Sequence, residues 1–295
     1  VKHEITNLIL NKISESSDIS IVVLTGHAGD GKTTIALELY KKMKDIPFTD
    51  ALPKPLNQIE DDLEINGRSV CIVKDMSEIP TDGRKTILRQ AIEDDKFWII
   101  IANSGPLLDT CCDVYKEDYK DNQFNMENEI LNAISKKLPD AFEKENPIKL
   151  FKKKMWIANL TMYDNIPMSK KLLLNIRQHA LWQLCQKCPS YECCPITHNI
   201  NSLSEDLVLN RISYLYRRLS AYDIHLTLRQ ISAHIAFSIT GGLECSDIQH
   251  TIEINKKDIK YDYLISNNFF GFIGNKKQVA LDDLFVVKAL SKLEL

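Results

Sequence analysis

Gly26, Gly31, Lys32 and Thr33 stand at the spacing G-x-x-x-x-G-K-[ST], within a stretch, residues 19–40, that reads ISIVVLTGHAGDGKTTIALELY. An apolar β-branched run leads into a glycine-rich turn, and an amphipathic helix follows. Phosphate chemistry needs these residue types in this order. Glycines free the backbone to curl so that successive N–H groups point inward, at the N-terminus of a helix whose dipole favours anions. Lys32 then reaches the outer phosphates and the Thr33 hydroxyl joins a Mg²⁺ shell, with Ala28, Gly29, Asp30 and Thr34 completing the loop. The expected ligand is a nucleoside triphosphate, ATP or GTP, held with Mg²⁺.

Val70-Cys71-Ile72-Val73-Lys74-Asp75 supplies a second ingredient, a buried strand with a carboxylate at its tip that can hold Mg²⁺. In the usual ordering, four apolar residues precede the metal-binding Asp and a catalytic Glu follows. Here Lys74 occupies the Asp place and Asp75 the Glu place. Either Asp75 serves the metal and Glu78 acts as base, or Asp75 itself polarises the water. An ordinary strand end with a solvated Lys-Asp pair would need neither role. Phe97–Ala102 (FWIIIA) is a further buried strand. The next residue, Asn103, can form an Asx turn ahead of Ser104-Gly105-Pro106.

The elements that position these groups follow from periodicity. Residues 1–14 read as an amphipathic helix, and the helix after the loop runs from Thr33 to Lys44. Three prolines in 45–67 predict an irregular stretch with one short helix near Leu56 to Ile65. Thr81–Asp94 and Asn128–Leu138 are predicted helices, 109–125 an extended polar insertion, and Met155–Leu160 an apolar strand after a lysine-rich loop. That loop holds Lys149, Lys152, Lys153 and Lys154, suited to a solvated surface or to contact with nucleic-acid phosphates. From Ser169 onward the pattern is helical, most clearly over 169–185, 203–221 and 227–240, with Thr227 as an N-cap. Strands alternating with helices predict an α/β fold with a doubly wound parallel sheet over residues 1–165, and residues 166–295 form a helical C-terminal part.

In this order of parts the chain resembles P-loop ATPases of the AAA+ class and the wider additional-strand group, including the signal-transducing STAND proteins. The resemblance covers most of the chain. It implies that Asn103 is the sensor-1 residue, on a strand between the phosphate-loop strand and the acidic strand. It implies that Arg229, opening the helix of a C-terminal lid, reaches back to the γ-phosphate as sensor 2. One feature departs from the pattern: no arginine occurs between Arg89 and Arg177, where ring-forming AAA+ proteins carry an arginine finger. A slow ATPase is therefore expected, or a finger supplied by Arg217, Arg218 or a partner chain through self-association. The leading expectation is an ATP-driven switch that couples nucleotide state to a fused or partner effector domain. Two others compete with it: a DNA-translocating or remodelling motor, and a nucleotide-binding scaffold without turnover.

Of eight cysteines, Cys185, Cys188, Cys193 and Cys194 fall within ten residues. Thiols at C-x2-C spacing can face one tetrahedral Zn²⁺, which would staple a loop lacking a core of its own. Cys185 and Cys188 are the expected ligands, with Cys193 or Cys194 third. The fourth is the other of that pair, His198 or Cys245. Inert buried thiols are the alternative. This element, followed by the T-L-R-x-I helix and Gly241-Gly242-x-x-Cys245, is also similar to predicted ATPases of prokaryotic phage-defence and phosphorothioation-dependent restriction systems. A net charge of −3, with 44% hydrophobic and 26% charged residues, fits a globular chain and excludes one that coats nucleic acid by charge alone. No apolar stretch reaches the ~18 residues of a membrane span. Dependence on cytosolic nucleotide predicts a cytoplasmic chain with reduced thiols. The start at Val1 and the helical pattern of the last residues suggest a piece of a longer protein.

Overall fold

The computed structural model describes residues 4–14, 19–118, 125–136, 148–150, 153–203, 206–255, 259–274, 276–277 and 284–293. Along the chain it divides into two compact units between Tyr163 and Asp164.

In the first unit the apolar runs become strands β1 (Ile19–Thr25), β3 (Arg68–Val73), β4 (Phe97–Ile101) and β6 (Lys153–Asn159). With β2 (Ile59–Ile65) and β5 (Ile148–Leu150) they make one sheet of order β2-β3-β4-β1-β6-β5. The four inner strands are parallel, and the two edge strands run antiparallel to their neighbours. The sheet is thus mixed rather than wholly parallel. Successive residues of the inner strands alternate between two cores, because strand side chains alternate in direction. Val22, Leu24, Ile72 and Ile99 pack with α1 (Glu4–Ser14) and α2 (Lys32–Met43) through Ile5, Ile9, Ile35 and Leu39. Ile21, Val23, Cys71 and Ile100 pack with α3 (Thr81–Glu93), α4 (Ser104–Asp118) and α5 (Met126–Ile134). Burial on both faces explains why these strands read as continuous apolar runs.

Two expectations are corrected. Residues 59–65 form edge strand β2, not a short helix. Asn66 and Gly67, with φ of 51° and 76°, close a two-residue hairpin onto β3, the Asn-Gly turn whose twist matches paired strands. Residues 104–118 form helix α4 instead of a turn and an extended insertion. Its buried Leu107, Cys111, Val114 and Tyr115 recur at helical spacing, and Pro106 lies in the first turn, where a missing N–H costs no helical hydrogen bond. The rest of that insertion, 119–124, lies outside the described residues. The lysine-rich segment belongs partly to β5 and β6. Lys153 Nζ donates to the Asp94 carbonyl at 2.8 Å, and residues 151–152 lie outside the described ones.

The second unit is mainly helical: α6 (Ile166–Arg177), α7 (Trp182–Cys185), α8 (Pro195–Ser202), α9 (Asp206–Ala221), α10 (Leu228–Thr240), α11 (Cys245–Asn255), α12 (Ile265–Asn268) and α13 (Phe285–Leu290). A small hairpin, β7 (Phe272–Ile273) with β8 (Lys276–Lys277), accompanies them. The single helix expected over 169–185 is two, α6 and α7, parted by residues 178–181. Thr227 caps α10 as expected: its hydroxyl accepts from Gln230 N at 3.2 Å, and Gln230 Oε1 accepts from Thr227 N at 2.9 Å. Among the described residues no helix is long and apolar enough to cross a membrane.

A buried polar pair sits in this helical core. His234 Nε2 lies 2.9 Å from the Phe269 carbonyl, so Nε2 must carry the proton. Nδ1, 2.9 Å from Tyr216 Oη, then accepts from the phenol. Burial lowers the His234 pKa from 6.5 to about 4. Above pH 6.5 the ring is neutral folded and unfolded. Below it the unfolded chain takes up the proton first, so stability should fall as pH drops from 6.5 toward 4. The effect should reach about 3 kcal/mol. Denaturant titrations at pH 7 and 4.5 read it directly. His234→Gln, which can still donate and accept but does not titrate, should show a smaller pH-dependent loss than the wild type, and an equal loss would refute the assignment.

Candidate phosphate-binding site

Because β1, β4 and β3 are adjacent and parallel, their C-terminal ends share one edge of the sheet. That edge is where open α/β sheets place ligands. Gly26, Asn103 and Asp75 follow those three ends.

The loop after β1 uses left-handed backbone at three glycines, Gly26 (φ 147°), Gly29 (97°) and Gly31 (92°). A Cβ on Gly26 would lie 3.1 Å from Asp30 Oδ2 and 3.3 Å from Thr161 N, so space as well as φ demands glycine there. Asp30, buried, closes the turn: its Oδ2 accepts from His27 N at 2.8 Å and stands 3.5 Å from Thr161 Oγ1. Gly31 caps α2, whose first residue is Lys32. The Lys32 ammonium folds back over the loop and donates to the carbonyls of Gly26 (2.7 Å) and His27 (2.9 Å). Thr33 and Thr34, in the first turn of α2, are exposed, as is Ala28. A lysine held among backbone carbonyls beside exposed first-turn hydroxyls can receive an anion by exchanging acceptors.

Asp75 is two residues past β3. It caps a 3-10 turn, Met76–Glu78, with Oδ1 accepting from Ser77 N at 2.9 Å. Its second oxygen takes no hydrogen bond among the described residues. The Asp75 carbonyl accepts from Gln58 Nε2, anchoring the tip to the residue before β2. Ser77 Oγ accepts from Asn103 N at 2.7 Å, which ties the acidic turn to the end of β4. Thr25 Oγ1 and Ser104 Oγ meet at 2.9 Å and join the ends of β1 and β4 in the same way. Glu78 and the Asn103 side chain are exposed. Lys74 continues the edge pairing, with its N–H donating to Gln58 O at 2.9 Å.

The fold therefore gathers the glycine loop, Lys32, Thr33, Asp75, Glu78 and Asn103 within one unit. Arg229, exposed in the first turn of α10, belongs to the second unit. The bracing side chains Ser77, Ser104, Gln58 and Thr161 were not legible as site residues. Two had a local signal: Ser77 stands two residues after Asp75, as a turn-capping pair does, and Ser104 directly follows Asn103.

The cysteines lie in the second unit as free thiols: Cys185 ends α7, Cys188 is in the next turn, Cys193 ends a 3-10 turn, Cys194 caps α8 and Cys245 opens α11. No group of three or more His, Cys, Asp or Glu side chains among the described residues is arranged to hold a metal ion. Comparison of the chain with family models, with curated proteins and with solved structures returns no match.

Proposed function

We propose that the chain binds ATP with Mg²⁺ at the loop Gly26–Thr34 and hydrolyses it slowly, as a switch that passes nucleotide state to a partner domain. The observation that carries this reading is the Lys32 ammonium held on the Gly26 and His27 carbonyls at the N-terminus of α2, beside the tips of β3 and β4. The strand order supports it too, since β4, leading to Asn103, lies between β1 and β3, where the AAA+ resemblance puts the sensor-1 strand. Mg²⁺ would be held by the Thr33 hydroxyl and the unengaged Asp75 oxygen, and it would supply charge neutralisation at the phosphates. Asp75 or Glu78 would orient the attacking water, and Asn103 would hydrogen-bond it. Slow turnover is inferred from the absence of arginine between Arg89 and Arg177.

Calorimetric titration of the full chain with ATP, with and without Mg²⁺, tests the reading together with phosphate release. Saturable one-site binding and a low, Mg²⁺-dependent turnover are expected. Absence of binding would refute it. Binding without turnover would leave a scaffold. Turnover stimulated by DNA in a salt-sensitive way would identify a motor.

A further inference from the structure

Helix α9 buries one side and shows solvent a stripe of mixed arginine and tyrosine. Leu209, Ile212, Tyr216 and Leu219 are buried, at the spacing of one helix face. Leu207, Arg211, Tyr214, Arg218 and, one residue past the helix, Tyr222 recur every third or fourth position along the outer side. The solvent face of a helix is ordinarily polar. Here Tyr214 and Tyr222 are 58% and 59% exposed. Between Leu207 and Tyr222 the sequence places Arg211, Arg217 and Arg218 but no carboxylate, in a chain whose net charge is −3.

The side chains of the stripe hold one another. Arg218 Nη1 donates to Tyr214 Oη at 3.5 Å, and its guanidinium lies 5.9 Å from the centre of the Tyr222 ring. The cation is thereby set between two exposed rings. Lys170 of α6 adds a charge at the flank, where its Nζ donates to Asn210 Oδ1 at 3.1 Å. Arg217, two turns after Asn210, lies on that same flank. None of Lys170, Arg211, Arg217 and Arg218 has a carboxylate within ion-pair distance among the described residues. In the first unit, by contrast, Lys85 and Arg89 are neutralised by Asp113, Glu117 and Asp118.

We propose that this face of α9 binds single-stranded DNA, with Lys170, Arg211, Arg217 and Arg218 on phosphates and with bases stacked on Tyr214 and Tyr222. The two tyrosines are about 12 Å apart along the helix axis, so each can take a base of its own. A duplex would offer only its phosphates, since its bases are already stacked on one another. The nearby polar atoms Asn210 Oδ1 and Tyr214 Oη are engaged by Lys170 and Arg218. The face therefore sets no group aside for a ribose 2′-hydroxyl, and DNA is the strand it fits. A membrane surface fits less well, because Arg211 and Arg218 interrupt the apolar residues of the stripe.

The test is fluorescence anisotropy of a labelled oligodeoxythymidylate with the full chain, in the absence of ATP. A length of about 20 nucleotides exceeds the usual site of a single-strand binder. Saturable binding is expected, weakened by salt and tighter than that of a duplex of equal length. Tyr222→Ala should weaken it at least about fivefold, the loss of one stacked base. Arg211→Gln should lower the slope of log affinity against log salt by about 0.7, the loss of one phosphate contact. Both side chains are exposed, so the variants should melt as the wild type does. Absence of binding would overturn the proposal, as would equal or tighter binding of the duplex, or binding that neither variant changes. So would tighter binding of oligouridylate, or capture by anionic phospholipid vesicles or dimerisation through the tyrosines with no oligonucleotide bound. Since ATP is absent, failure here leaves the ATP reading untouched.

Discussion

Lys32→Ala should lower ATP affinity by about one to two orders of magnitude while the fold survives. The ammonium makes two hydrogen bonds within the loop, to Gly26 O and His27 O. On binding it would trade these neutral acceptors for charged phosphate oxygens. Hydrogen bonds to charged groups are worth about 1.5–3 kcal/mol net, and each 1.4 kcal/mol is tenfold in affinity. Stability should change little. Position 32 opens α2, where alanine is a strong helix former, and the exposed His27 segment lets water replace the lost donor. Calorimetry measures the affinity, and a thermal melt of the variant separates lost binding from lost folding. Affinity equal to wild type with the fold intact would remove the lysine from the site.

Asp75→Asn should cut ATP turnover at least tenfold, roughly the effect of losing a metal anchor or a general base. The substitution keeps an oxygen able to accept from Ser77 N, so the 3-10 turn it caps should persist and the loss should be one of charge. Glu78→Gln separates the two roles. A large loss assigns the base to Glu78 and the metal to Asp75, whereas an unchanged rate makes Asp75 the base. Both rates are measured at saturating Mg²⁺ and nucleotide, so that weakened binding does not pass for slowed chemistry. If neither variant changes turnover, the carboxylates at the end of β3 are not part of the reaction.

Local chemistry determined much of this protein. The glycine loop, the helix that starts at Lys32, the apolar strands, the Thr227 cap and the acidic strand tip could all be read from residue type and spacing, because each depends on contacts only a few residues apart. Two elements were misread although their signals were local. The Asn66-Gly67 turn pointed to β2, and the spacing of Leu107, Cys111 and Val114 pointed to α4, but nearby prolines, glycine and polar residues masked both patterns. Other features depend on partners far along the chain, and no spacing rule encodes them. The placement of β4 between β1 and β3 rests on hydrogen bonds between residues tens of positions apart. The Ser77–Asn103 and Thr25–Ser104 bridges exist only because that order brings the strand ends together. The same holds near the cysteines: spacing singled out Cys185 and Cys188, whereas only the packing of α11 brings Gln249 Nε2 to the Cys188 sulfur, 61 positions away in the chain.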